Sequence, residues 1–248
     1  MKNKINFLLD LIKPLFSDYY YGFIQGNNSL SSAQKSTLLN IINSNFENDY
    51  INEDFEKSFS KIIGSGSSIS FASGRMAFFA YMKYLKINTG DEVIIQSSNC
   101  AVMINAILRI GAKPIFCDIN NDTIGTDYDS VKKLISSKTK LIVAQHSFGI
   151  PCDIERIVRL ARSKKIKVIE DCALSVGSTY KNIILGNFGD AAIFSFDHSK
   201  PINCIIGGIL YSNDNDTHSF IRGFRNKSPH LTKNHQFQLF KQYVFESK

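Results

Sequence analysis

The residue with the clearest chemical potential in this sequence is a lysine that follows an apolar run. The run Ala191–Phe196 predicts a buried strand, a short polar segment leads on to Lys200, and Pro201 prevents a helix from continuing there. An amine held at the end of a rigid element can attack a carbonyl carbon and form a Schiff base. Because the chain has 29 lysine and arginine residues, most of which must be solvated, Lys200 becomes a catalytic candidate only with support from other residues.

A second candidate is the start of a predicted helix. Ser73, Gly74 and Arg75 stand between a short predicted strand, Ile69–Ala72, and a helix predicted over Met76–Leu85. The first N–H groups of a helix have no partner within it, so they can bind a phosphate. A serine cap followed by glycine is also common at helices that bind nothing, so this trio is not specific by itself.

Strands and helices alternate along the middle of the chain. The predicted strands are Glu92–Ile95, Pro114–Cys117, Leu141–Ala144, Lys167–Ile169 and Ala191–Phe196, and the helices between them are Ala101–Ile110, Asp127–Ser136 and Asp153–Ser163. This alternation is typical of an α/β fold with a mainly parallel sheet covered by helices on both sides. In such sheets, ligands bind beyond the carboxyl ends of the strands.

That rule brings candidate residues from four strand ends together. Ser73–Arg75 follows one strand, His146 a second and Asp171 a third, while Ser195 and Lys200 lie at or past the end of a fourth. Pyridoxal phosphate needs a lysine for its aldehyde, a carboxylate that keeps its ring nitrogen protonated and a cradle for its phosphate. Taken singly, Asp171 has an alternative interpretation as a helix cap or surface carboxylate, and His146 as a hydrogen-bonded turn histidine.

The composition argues against several other classes of protein. The 248 residues are 44% hydrophobic and 21% charged, as in globular proteins, and the formal charge of +7 is spread along the chain, which does not favour a nucleic-acid partner. Five cysteines without C-x-x-C spacing favour neither a metal site nor a disulfide framework, and they indicate a cytoplasmic protein. The mostly apolar stretch Ile5–Ile12 is too short to span a bilayer, so we expect no membrane insertion.

Several blocks of the sequence resemble, in order and spacing, the DegT/StrS family of sugar aminotransferases, which are fold-type-I pyridoxal phosphate enzymes. The resemblance runs from about Leu38 to Arg225 through the blocks FASGRMA, GDEVIIQSSNCAVMINAILRIGAKPIFCDIN, AQHSFGIPCDIERI, VIEDCALSVGS and LGNFGDAAIFSFDHSKPIN followed by GGILYSND. It implies that Lys200 is the Schiff-base lysine and that Asp171 is the partner of the pyridine nitrogen. It also implies a set of residues along the phosphate or near the cofactor pocket, namely Ser73, Gly74, Arg75, Ser195 and His146.

Two positions depart from the family pattern. Cys100 stands where many relatives have an aromatic residue that stacks on the cofactor ring, and Leu174 stands where relatives usually have glutamine or histidine near the ring hydroxyl. Both positions are therefore expected at the cofactor pocket, with altered contacts. A sugar dehydratase of the same family is less expected, because those relatives replace the lysine that this chain keeps.

The resemblance implies an enzyme that moves an amino group from an amino acid donor to a nucleotide-linked keto sugar, for surface polysaccharide or amino-sugar biosynthesis, as a homodimer. Two helix-like stretches predict an N-terminal helical segment at 1–45. The resemblance implies a cofactor-binding large domain at 46–225 and, at 226–248, the start of a small C-terminal domain that is largely missing. Together with Leu174, that expected truncation leaves one alternative open, a catalytically inactive member of the family that acts as a binding or regulatory protein.

Overall fold

The computed structural model describes residues 32–43, 50–197, 199–204, 206–229 and 231–246. Within these ranges the helices are α1 (Ser32–Asn43), α2 (Tyr50–Ile63), α3 (Gly74–Tyr84), α4 (Ala101–Arg109), α5 (Tyr128–Leu134), α6 (Ile154–Ser163), α7 (Asn215–Asn226) and α8 (Lys233–Glu246). The strands are β1 (Ser67–Phe71), β2 (Glu92–Gln96), β3 (Lys113–Cys117), β4 (Thr139–Gln145), β5 (Lys167–Asp171), β6 (Thr179–Tyr180), β7 (Ile183–Ile184), β8 (Ala191–Ser195) and β9 (Gly208–Ser212).

Seven of the strands form one mixed sheet in the order β1-β9-β8-β5-β4-β2-β3. The strands from β8 to β3 pair in parallel, whereas β9 runs antiparallel to both β8 and β1. Because β1 and β8 both oppose β9, β1 points the same way as the parallel strands, and its carboxyl end reaches the same edge of the sheet. The predicted mainly parallel sheet is confirmed, while β9 and the β6-β7 hairpin were not predicted.

Helices cover both faces of this sheet, as expected from the apolar strands. On β4, Leu141 and Val143 belong to a core shared with α3, α4 and α7, while Ile142 and Ala144 belong to a second core shared with α5 and α6. Successive strand residues face opposite sides, so a strand buried on both sides must be apolar throughout. Phe59 of α2 adds a third core, with its ring 5.0 Å from that of Phe194 on β8.

A buried carboxylate joins α2 to the sheet edge and to α7. One oxygen of Glu56, which is 3% exposed, accepts hydrogen bonds from the N–H and the hydroxyl of Ser70 on β1, both at 2.7 Å. The other oxygen lies 2.6 Å from Nη1 of Arg222, and Nη1 of Arg225 lies 3.3 Å from the first. The carboxylate therefore satisfies an N–H at the outer strand of the sheet, which would otherwise lack a partner.

The predicted division into 1–45, 46–225 and 226–248 stays a prediction. Residues 1–31 and 44–49 lie outside the described residues, so the first segment is represented only by α1. None of the helices in the described ranges combines the length and apolar content that a bilayer crossing requires.

Candidate active site

The carboxyl ends of the parallel strands meet around a cavity of about 670 Å³. All nine residues singled out from the sequence line it: Ser73, Gly74, Arg75, Cys100, His146, Asp171, Leu174, Ser195 and Lys200. The volume is typical of sites for small molecules. The sheet thus collects residues that are far apart in the sequence into one place.

The start of α3 is pressed closely against β8 and β9. Ser73 caps the helix, and its hydroxyl accepts a hydrogen bond from the N–H of Met76 at 3.3 Å. A Cβ on Gly208 would lie 2.1 Å from the nitrogen of Gly74, so only glycine fits there. Because Gly208 pairs with Ser195, this close approach brings both serines and the first turn of α3 to the same part of the cavity.

The loop after β8 carries the lysine. The N–H of Lys200 donates to the carbonyl of Asp197 at 2.9 Å, and the N–H of Cys204 donates to the carbonyl of Phe196 at the same distance. These bonds turn the chain back towards β9 and leave Lys200 half-buried in the cavity wall. Lys200 therefore shares the cavity with Asp171, as the Schiff-base interpretation requires.

Asp171 is the last residue of β5 and is 6% exposed. One carboxylate oxygen, Oδ1, accepts a hydrogen bond from the N–H of Ala173 at 3.1 Å, and Oδ2 accepts one from Nδ2 of Asn99 at 3.3 Å. A buried carboxylate with a donor on each oxygen is suited to hold a positively charged nitrogen in the cavity.

His146 lines the cavity, but both of its ring nitrogens have partners in the protein. Nδ1 accepts a hydrogen bond from the N–H of Cys152 at 3.2 Å, so Nε2 carries the proton and donates it to Oε2 of Glu170 at 3.1 Å. The ring is 1% exposed. The structure thus agrees with the interpretation of His146 as a hydrogen-bonded turn histidine, and its nitrogens are not offered to a ligand.

Glu170 has a structural role that the sequence analysis missed. Besides His146, its carboxylate accepts hydrogen bonds from the N–H groups of Gly186, Phe188 and Gly189 at 2.8, 2.8 and 2.7 Å. It thereby connects the end of β4, through His146, and strand β5 to the loop that enters β8. The carboxyl ends of β4 and β5 form part of the site. An acidic residue inside an apolar strand is the signal that could have pointed to it, because a buried carboxylate needs several donors.

Three potential metal ligands lie close together beneath the site. The ligand atoms of His146, Glu170 and Cys172 are all within 4.8 Å of one another. The four donors already occupy the carboxylate, and burial raises the pKa of the Cys172 thiol, which keeps it protonated. This grouping is therefore a hydrogen-bonded support and does not suit a metal ion.

By area, most of the surface of the cavity wall is apolar. Cys100 is exposed at the start of α4, where its side chain makes no capping hydrogen bond, and Leu174 lies in the wall after β5. At the rim, Phe148 has a positive φ of 53° and is 55% exposed. Six polar residues that the sequence analysis did not single out also line the cavity, namely Ser98, Asn99, Gln145, Ser147, Asp197 and Ser199.

Comparison with known proteins identifies relatives of this chain. A sequence profile of the DegT/DnrJ/EryC1/StrS aminotransferase family matches residues 29–242. The chain is 36% identical over 189 residues to the GDP-perosamine synthase of Escherichia coli O157:H7, covering 75% of this chain and 52% of that protein. It is 33% identical over 170 residues to the spore coat polysaccharide biosynthesis protein SpsC of Bacillus subtilis, covering 68% of this chain and 44% of that protein.

Among solved structures, the chain resembles NtdA from Bacillus subtilis with bound cofactor PMP, with a TM-score of 0.74 and 25% identity. That likeness covers 88% of this chain and 54% of the other, and it confirms the predicted fold. The chain spans about half the length of the curated relatives it matches.

Proposed function

Because the chain belongs to the DegT/DnrJ/EryC1/StrS aminotransferase family, we propose that it binds pyridoxal phosphate and transfers an amino group from an amino acid donor to a nucleotide-linked keto sugar. The observation that carries this proposal is the meeting of Lys200, Asp171 and the start of α3 at one cavity. The names of the relatives, a GDP-perosamine synthase and a polysaccharide biosynthesis protein, support a role in polysaccharide or amino-sugar biosynthesis.

The groups around the cavity fit the cofactor. Lys200 provides the amine, and Asp171 provides a buried carboxylate whose two oxygens each accept a hydrogen bond from the protein. The N-terminus of α3 lies beside the hydroxyls of Ser73 and Ser195. Arg75 adds a positive charge to the phosphate end. When bound, pyridoxal phosphate supplies an aldehyde that takes up an amino group and a ring that withdraws electrons.

The residues of this chain then have distinct tasks. Asp171 holds a proton at the ring nitrogen, where a positive charge makes the ring a stronger electron acceptor. The amine Nζ of Lys200 would hold the cofactor at its aldehyde carbon. As general base and acid, it would take the proton from the substrate carbon and deliver it to the former aldehyde carbon. The start of α3, with Ser73, Gly74 and Ser195, anchors the phosphate.

The two departures from the family pattern alter packing more than chemistry. Cys100 and Leu174 contribute apolar surface to the cavity, and a flat ring can pack against such a surface without hydrogen bonds. The alternative of a catalytically inactive binding protein has less support, because the amine, the carboxylate and the phosphate-binding helix start are all retained at one cavity.

A cofactor-trapping experiment tests the proposal. Purified protein mixed with pyridoxal phosphate should develop visible absorbance, and borohydride should fix the cofactor to the peptide that contains Lys200. The Lys200→Ala variant should lose both the absorbance and all transamination, while Lys113→Ala, an exposed lysine on β3, should keep both. Full activity in Lys200→Ala, or a label on another peptide, would show that the assignment is wrong.

We also propose that two copies of the chain associate around the cavity mouth. Large apolar side chains are exposed in this region, on segments that line the cavity or adjoin it, among them Ile119, Ile124, Phe148 and Ile150. An exposed apolar patch next to a site is typical of an interface. Sedimentation should show a dimer that dissociates in a Phe148→Ser, Ile119→Ser double variant and persists in Leu108→Ser, whereas a monomeric parent protein would contradict the proposal.

A further inference from the structure

Asn99 connects three strand ends beside the cavity. Its side-chain nitrogen Nδ2 donates to Oε1 of Gln145 at 2.5 Å and to Oδ2 of Asp171 at 3.3 Å. Gln145 in turn donates through Nε2 to the hydroxyl of Ser147 at 3.0 Å. The turn after β2, where the N–H of Asn99 donates to the carbonyl of Gln96 at 3.1 Å, holds the backbone of Asn99 in place.

These contacts determine which way the Asn99 amide faces. Both of its neighbours, the Gln145 carbonyl oxygen and the Asp171 carboxylate, accept hydrogen bonds, and an NH₂ group has two protons to give them. Rotating the amide by 180° would set an oxygen against two oxygens. The orientation is therefore fixed by the Asp171 carboxylate, which can only accept, and the other proton goes to Gln145.

The Asp171 carboxylate depends on the Asn99 proton for its own orientation. The terminal torsion of an aspartate is broad, so a single hydrogen bond leaves the carboxylate free to rotate. Here Ala173 donates to Oδ1 and Asn99 donates to Oδ2, which holds both oxygens. Removing the Asn99 donor would leave one oxygen without its protein partner.

We propose that Asn99 is a positioning residue, which holds the Asp171 carboxylate towards the ring nitrogen of pyridoxal phosphate. This rests on the proposed function. The effect proposed for Asn99 passes through the Asp171 carboxylate, so it concerns ligands that have a nitrogen at that ring position. A residue that merely supported the cavity wall would affect all ligands of the same shape.

Equilibrium binding of two ligands to the same proteins separates these roles. The ligands are pyridoxal phosphate and its deaza analogue, in which carbon replaces the ring nitrogen. We expect Asn99→Ala to weaken binding of pyridoxal phosphate about tenfold, as for a lost hydrogen bond to a charged group, and to change binding of the analogue less than about twofold. Asn105→Ala removes an exposed asparagine of α4 and should change neither affinity.

Equal weakening of both ligands, or no weakening of either, would overturn the proposal. If Asn99→Ala does not fold, Asn99→Leu keeps most of the volume, removes the donor without adding a charge and should show the same selective loss. A parent protein that gives no visible absorbance and no borohydride adduct would refute the proposed function itself. A parent that binds pyridoxal phosphate alongside an unaffected Asn99→Ala variant would refute only the role of Asn99.

Discussion

Glu170→Gln is a substitution whose effect on stability can be worked out from the hydrogen bonds of one side chain. One oxygen, Oε1, accepts from the N–H groups of Phe188 and Gly189, and Oε2 accepts from the N–H of Gly186 and from Nε2 of His146. Glutamine has nearly the same size, but it replaces one acceptor oxygen with an NH₂ group. Whichever way the amide turns, two of the four donors face another donor.

The cost follows from burial. Glu170 and His146 are 0% and 1% exposed, so water cannot take over the lost bonds. Each buried donor without an acceptor costs about 1–3 kcal/mol. We therefore expect Glu170→Gln to lower the free energy of unfolding by about 2–6 kcal/mol, which is a large part of the roughly 5–15 kcal/mol typical of a domain.

Urea unfolding followed by circular dichroism measures this change. Glu155→Gln is the matched control, because Glu155 is a half-exposed glutamate at the surface whose carboxylate pairs with Lys181, and a surface pair contributes about 0–1 kcal/mol. Glu170→Gln should also loosen the loop that enters β8 and so weaken cofactor binding at Lys200. Equal unfolding midpoints for the two variants would refute the view of Glu170 as the support of the site.

Three further predictions concern the frame around the site. In urea unfolding, Gly208→Ala should destabilise the protein by more than about 3 kcal/mol, because the added Cβ would clash with the backbone of Ser73 and Gly74. Its control is Gly223→Ala in α7, where a Cβ meets nothing within 4 Å, and this change should stabilise the protein by about 0.5–1 kcal/mol. Glu56→Gln should lower the free energy of unfolding by about 3 kcal/mol in the same assay. This value is at the lower end of the cost of breaking a buried ion pair, because the side chains of the partners Arg222 and Arg225 are 28% and 20% exposed. Hydrogen bonds from the side chain and N–H of Thr217 lower the pKa of Asp214, so Asp214→Ala should cost about 1 kcal/mol at neutral pH. This difference should shrink as the pH falls from about 4 through the pKa in the folded protein, because the protonated carboxyl is a weaker acceptor.

Each of these predictions has an outcome that contradicts it. A Gly208→Ala variant as stable as the parent would mean that β9 can move away from α3. A neutral Glu56→Gln variant would mean that water already reaches the carboxylate. For Asp214, a stability difference that persists unchanged at pH 2 would show that the ionised carboxylate is not what caps α7.

Short-range patterns in the sequence determined the class of fold and most of the site. The alternation of apolar strands with helices predicted the α/β sheet, and the observed bounds of the predicted elements differ by no more than two residues at either end. Because the carboxyl ends of parallel strands share one edge, residues following those strands, such as Ser73, Asp171 and Lys200, could be expected to meet without knowledge of the strand order.

The tertiary structure decided how those residues are held. The bond from His146 to Glu170 joins residues 24 positions apart, and the bond from Asn99 to Asp171 joins residues 72 positions apart. Both depend on which strands are neighbours and in what register, and so does the antiparallel position of β9 between β8 and β1. Local propensities act over a few residues, so they select strands and helices, whereas the partner of a buried polar group is chosen only when the sheet is assembled.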